Sequence, residues 1–243
     1  MSTQAPHLMM NSRMTTPVHH PDDATLISYA AGALSLPLSI TLSCHLAVCP
    51  QCRERLKQAQ AVGGALLERC DEIQLSSNAR SNMLAALDDD SLDQAPVTAA
   101  EPKLQDLDDT GINDHAREDL IPAPLRPWLG ERYSELRWST LAPGMKQVKI
   151  TLPQGNLRLF RITPGTCMPH HGHGGSEMTL VLKGSYSDEV GRFQPGDIAD
   201  LDPDIEHQPI ADRDQDCICL IATDAPLKFS GFVPRLLQPF FGL

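Results

Sequence analysis

His45, Cys49 and Cys52 lie in the run Ser43-Cys44-His45-Leu46-Ala47-Val48-Cys49-Pro50-Gln51-Cys52-Arg53, one imidazole and two thiols at His-x-x-x-Cys-x-x-Cys spacing. Thiolate and imidazole are ligands for a borderline-soft divalent metal, and structural zinc takes four of them in a tetrahedron. If the segment is helical, positions 45, 49 and 52 stand at i, i+4 and i+7, so the three groups leave one face. That leaves one ligand to find. The nearest candidates lie upstream in His19-His20-Pro21-Asp22-Asp23, just before another helical pattern, and a two-helix hairpin would bring them to the triplet. His20 is taken as the fourth ligand, with His19 as its substitute.

A second set lies between Gly165 and Gly184, where His171, His173 and Glu177 occur together. In a strand, residues 171 and 173 point to the same side, into a barrel, and Glu177 follows from the next strand. His207, in Pro203-Asp204-Ile205-Glu206-His207, completes a set of three histidines and one carboxylate. Such a set suits zinc, iron(II), manganese or nickel, and the residues alone do not choose among them. His170 reads as a neighbouring polar residue rather than a ligand.

The elements that must hold these sets are legible in outline. From Asp22 or Asp23, either of which can cap a helix, Leu26, Ile27, Ala30, Ala33 and Leu34 recur at helical spacing. Pro37 suits the first turn of a second helix in which Leu38, Leu42, Leu46 and the ligand triplet follow. A third helix runs from about Pro50 to Leu66 and Leu67, with Gly63-Gly64 as a point of bending or interruption, and a fourth from Ser77 to Leu87. Four short helices bury little apolar area alone, so a structural metal is a natural staple. Residues 88–124 then turn to acids and prolines without apolar period, the pattern of a flexible acidic linker. Beyond it, strands are expected at Met145 to Leu152, Asn156 to Thr163, Met178 to Lys183, Ile198 to Leu201 and Cys217 to Ala222, the rhythm of an all-β barrel or sandwich. The expected layout is therefore multidomain, α plus all-β. It comprises a disordered extension (1–18), a four-helix zinc-binding domain (19–87), the linker (88–124) and a β-barrel domain (125–243) whose aromatic end, Phe229 to Leu243, packs back onto the barrel or onto another element.

Composition narrows the class. Thirty-one acidic against twenty basic residues give a formal charge of −11, which argues against direct binding to nucleic acid and favours a basic protein partner. No apolar run approaches the ~20 residues that span a bilayer. The first residues lack the charged and then apolar regions of a signal peptide, so the cytoplasm is the expected compartment. Seven cysteines, an odd count, then read as reduced thiols and metal ligands rather than a disulfide framework.

The run from Gly165 to Gly184 matches every fixed position of G-x5-H-x-H-x3-E-x6-G and so resembles the first motif of the cupin superfamily. The second cupin motif is matched in part. Pro195-Gly196 supplies its turn and His207 its ligand, whereas the usual spacing before that histidine and the asparagine after it are absent, which points away from an ordinary cupin enzyme. The two halves together resemble the ChrR family of bacterial anti-sigma factors. The resemblance is carried by His19-His20 followed by Tyr29-Ala30-Ala31-Gly32, the His45/Cys49/Cys52 triplet, the cupin motif, Asp216-Cys217-Ile218-Cys219-Leu220 and the Gln238-Pro239-Phe240-Phe241 terminus. It implies that His20, His45, Cys49 and Cys52 hold a structural zinc, and that His171, His173, Glu177 and His207 hold a second metal, also zinc in that family. It further implies sequestration of an extracytoplasmic-function sigma factor in a one-to-one cytoplasmic complex, released under oxidative stress, notably by singlet oxygen.

Oxidants attack electron-rich His, Met and Cys side chains. Cys167, Met168, Cys217 and Cys219 lie near or between the ligands of the second set, which makes the β half the expected sensor. Alternation in a strand puts Cys217 and Cys219 on one face and Ile218 and Leu220 on the other, which serves core packing as well as redox work and makes a poor disulfide. A competing route is oxidation of the Cys49 and Cys52 thiolates with loss of zinc. The runner-up function is a metal-dependent cupin dioxygenase or isomerase regulated by the helical half. A zinc-stabilised adaptor for some other protein is the third.

Overall fold

The computed structural model describes residues 16–88, 119–152, 155–225 and 227–229. It begins with α1 (Asp23–Ala30), capped by the Asp22 carboxylate, which accepts from the Thr25 N–H at 2.6 Å. Gly32, at φ +67°, ends that helix where only glycine turns without strain. Next comes α2 (Leu36–Val48), with proline in its first turn. Leu38, Ile40, Thr41, Leu42, Cys44, His45 and Leu46 are all buried, so α2 is covered nearly all round rather than on one stripe.

α3 (Pro50–Leu67) and α4 (Ala79–Leu87) contrast with it. Cys52 is the one buried residue of α3, and α4 has none. The sequence pattern put His45, Cys49 and Cys52 on one helical face, and the structure corrects this. Cys49 has φ −105° and ψ 101°, ending α2 and capping α3, so the triplet straddles a corner between two helices. Pro50 is the cause, because its ring disfavours the helical conformation in the residue before it while suiting the first position of the next helix. Gly63 and Gly64, by contrast, leave α3 uninterrupted.

The β half begins earlier than the composition suggested. Ile121 and Leu125, inside or next to the stretch read as linker, are fully buried ahead of the short helix α5 (Arg126–Leu129). The strands are β1 (Ser139–Ala142), β2 (Met145–Ile150), β3 (Asn156–Ile162), β4 (His171–His173), β5 (Glu177–Lys183), β6 (Tyr186–Ser187), β7 (Arg192–Phe193), β8 (Ile198–Leu201), β9 (Ile210–Ala211), β10 (Cys217–Thr223) and β11 (Leu227–Phe229). All pair antiparallel, in a six-stranded sheet of order β1-β2-β3-β10-β5-β8 faced by β11-β4 and β7-β6-β9. Isolated bridges, Cys167 with Ile210 and His171 with His207, tie the smaller sheets together.

Strand alternation divides the large sheet between two cores. Phe160, Ile162, Val181, Cys217 and Cys219 face the barrel interior, with the two thiols on one side of the strand as the alternation through 217–220 implied. Leu157, Leu159, Leu180, Ile218 and Leu220 join Leu38, Leu42 and Leu46 of α2 in one continuous apolar cluster. Each fully buried leucine contributes roughly 2 kcal/mol by transfer alone, so helix and barrel are joined by a real core. The expected extension is partly ordered, since Pro17 is buried against the barrel side. Its residues 1–15, the linker residues 89–118 and the terminal residues 230–243 lie outside the described residues.

Candidate metal centres

The first centre forms where the α2–α3 corner meets the segment before α1. His45, in the last turn of α2, has its Nδ1 2.8 Å from the Gly196 carbonyl, which leaves Nε2 facing the Cys52 sulfur at 3.2 Å. The Cys49 sulfur accepts from the Cys52 N–H at 3.4 Å, a bond that follows from Cys49 being the cap of α3. His20 reaches in from extended chain with Nδ1 3.4 Å from both sulfurs. One donor atom from each of His20, His45, Cys49 and Cys52 falls within 4.8 Å of every other. His19 is not part of this group; its Nδ1 pairs with Asp197 at 3.2 Å.

Electrostatics at this corner favour a bound cation. Burial, with Arg55 beside it, lowers the pKa of His20, and burial lowers that of His45, so both imidazoles are neutral donors at ordinary pH. Burial and the adjacent Cys49 push the Cys52 thiol up to about 12. Two thiolates can sit side by side here only with a cation between them, and two sulfurs with two imidazole nitrogens make a donor set that fits zinc.

The second centre lies inside the barrel. His171 and His173 come from β4, Glu177 opens β5, and His207 sits on the segment whose backbone exchanges hydrogen bonds with His171 at 3.1 and 2.9 Å. Their rings cluster with centroids 4.6 to 5.4 Å apart, and their donor atoms also lie within 4.8 Å of one another. His171 Nδ1 is turned to the Pro169 carbonyl and His207 Nδ1 to the buried Asp188 carboxylate, both at 2.8 Å. His173 Nδ1 approaches Glu177 Oε2 to 3.2 Å, yet neither atom makes a hydrogen bond, nor does His207 Nε2. Unpaired buried polar atoms cost several kcal/mol each unless something satisfies them, and their convergence here fits a divalent metal. Burial opposes ionisation of Glu177, but His173, His171 and His207 outweigh it and hold the carboxyl below the usual range. The cluster opens on a cavity walled by Arg158, Phe160, Met168, Tyr186 and Cys219.

Three residues of this architecture were not legible from spacing. Asp188 in a hairpin turn and Asp197 in the β7–β8 turn carry no signal in the sequence, and Gly196 showed only as a turn residue, because what they orient is distant in sequence. Cys44 is buried, its thiol pushed up to about 12 by burial, and belongs to the core.

With both centres described, the relatives can be compared. The chain is 42% identical over 226 residues to the anti-sigma-E factor ChrR of Cereibacter sphaeroides, covering 92% of this chain and 97% of that protein. It belongs to the ChrR family. Residues 131–226 match the model of the ChrR cupin-like domain, which contains the whole second centre. A chain in the crystal structure of Rhodobacter sphaeroides SigE in complex with the anti-sigma ChrR superposes with a TM-score of 0.68 at 37% identity, covering 86% of this chain and all of that one. Membership of the ChrR family places the chain among regulators, not enzymes, and sets aside the cupin-enzyme alternative. Among the described residues, no helix is long and apolar enough to cross a membrane.

Proposed function

We propose that this ChrR-family protein is a zinc-dependent anti-sigma factor. Its helical domain binds an extracytoplasmic-function sigma factor one-to-one in the cytoplasm, and its barrel domain triggers release under oxidative, singlet-oxygen-type stress. Zinc in the first centre would be structural and contribute to folding directly. His20, His45, Cys49 and Cys52 would hold it, and with it the angle between α2 and α3. His171, His173, Glu177 and His207 would hold the second zinc.

The observation that carries sigma binding is the bare apolar face of α3 and α4. Leu66, Leu67, Met83, Leu84 and Leu87 are exposed, Leu67 by 74% and Leu87 by 77%. Exposed apolar residues on these two helices suit a helix-in-groove partner. The glycines add to this. A Cβ at Gly63 or Gly64 would meet nothing within 4 Å, so nothing in the described chain calls for glycine, which costs a helix about 1 kcal/mol each. A partner backbone approaching that face closely would call for it. The solved ChrR relative in complex with SigE supports the same reading.

The test is capture of the sigma factor by the full chain and by the Leu66→Asp/Leu84→Asp double variant. Capture by the wild type and its loss in a variant that keeps both metals is the expected result. Unchanged capture by the variant places the binding surface elsewhere. For sensing, Met168 and Cys219 share the cavity beside the second centre, where oxidation would disturb the ligands. Sigma release by singlet oxygen that persists in the His171→Ala and Glu177→Ala variants would rule the barrel out as the sensor.

A further inference from the structure

We propose that the turn of residues 194–197, which belongs to the barrel, is the outer coordination shell of the metal centre in the helical domain, with Asp197 as its positioning residue. This rests on the metal reading of the His20, His45, Cys49 and Cys52 cluster.

Two of the four ligands in that cluster have imidazole rings, and the same turn orients both. For His45 the contact is direct: Nδ1 donates to the Gly196 carbonyl at 2.8 Å, which fixes the tautomer and aims Nε2 at the sulfurs. For His20 it acts through the neighbouring residues. His20 precedes α1 and its cap, so no helix holds it. Asp197 does so by gripping the two residues before it. Its Oδ1 accepts from the Val18 N–H at 2.6 Å and the His19 N–H at 3.1 Å, and its Oδ2 lies 3.2 Å from His19 Nδ1. The Ile198 N–H donates back to the His19 carbonyl at 3.3 Å, and the His19 ring packs on Phe193 with centroids 4.3 Å apart.

The turn is built for this. Asp197 closes it by accepting from the Gln194 N–H at 2.9 Å, and its own N–H donates to the Gln194 carbonyl at 2.9 Å. Gly196 has φ +93°, and a Cβ there would sit 2.9 Å from Pro17 and 3.4 Å from Val48 of α2. Only glycine lets the carbonyl come within reach of His45. Asp197 is 2% exposed, a buried carboxylate whose acceptor capacity is divided between this segment and its own turn. The same strands reach the other centre, since β8 pairs with β5 and sets Leu201 beside Glu177. A displacement of the barrel turn would therefore loosen the helical centre without any oxidation of its own thiols.

The experiment compares full-length, zinc-loaded wild type with Asp197→Ala and Asp197→Asn. Zinc release is followed under a chelator, and cobalt(II) substituted into the thiolate-containing centre reports its geometry through the visible spectrum. The expected result is release from the first centre about 10–100-fold faster in Asp197→Ala, the usual effect of removing an outer-shell partner. The cobalt band should be shifted, Asp197→Asn should be intermediate, and release from the second centre should be unchanged. Wild-type rates and spectrum in Asp197→Ala would overturn the inference. If Cys49→Ala leaves wild-type zinc content unaltered, the metal reading of the first cluster fails, and the inference fails with it.

Discussion

At the residue scale, ligand chemistry is written in local spacing, while the groups that aim the ligands are not. His45, Cys49 and Cys52 lie within eight residues and His171, His173 and Glu177 within seven, so side-chain type and separation announce them. His20 was legible only as one of two adjacent histidines, and its separation from His19 needs Asp197, 177 residues away from His20. Asp188 was invisible for the same reason, although it pairs with His207 at 2.8 Å and both side chains are almost fully buried. Asp188→Asn is expected to weaken metal at the second centre by about 10–100-fold and leave the first intact, checked by metal analysis after graded chelation. Equal retention at both centres would show that Asp188 does not tune the ligand. Cys49→Ala should lower bound zinc from two per chain to one, since each cluster accounts for a single ion. A variant still holding two would place the first ion elsewhere.

At the scale of elements, the pattern of apolar residues read correctly wherever one period governed. Alternation through 217–220 separated the two thiols from the two aliphatic side chains, and β10 obeys it because each of its faces meets a different core. The corner at Cys49 was legible in part: a new helix from about Pro50 was expected, but the triplet was assigned to one face because its spacing stays helical across the break. The cover over α2 was not legible, since an apolar helix does not say whether helices or a sheet enclose it. Leu42, fully buried between α2 and the sheet side of the core, gives the test of that packing. Leu42→Ala should cost about 2–5 kcal/mol of unfolding free energy, read by denaturant titration. A loss below about 1 kcal/mol would mean that α2 is not docked on the sheet in solution. Gly63→Ala and Gly64→Ala should act oppositely on the two properties of α3. Each should stabilise the helix by up to about 1 kcal/mol, because the new methyl meets nothing, and each should weaken the sigma complex. Stabilisation with undiminished sigma affinity would remove the glycines from the docking surface.

For the whole molecule, the composition shift at residues 88–124 suggested two halves free to move apart, whereas α2 shares a core with β5 and β10 and the first centre is braced by the β7–β8 turn. The barrel therefore has a packed route to α2 and the first centre that does not depend on the linker. The most direct test is the complex itself. The full-length protein is co-expressed with an extracytoplasmic-function sigma factor of the same cell, and the complex is analysed for mass and zinc, alongside the Cys49→Ala/Cys52→Ala variant. The expected result is a one-to-one, zinc-containing complex that the variant fails to form while its barrel still holds metal. A variant that lacks the first zinc yet binds the sigma factor as tightly as wild type would contradict zinc-dependent inhibition.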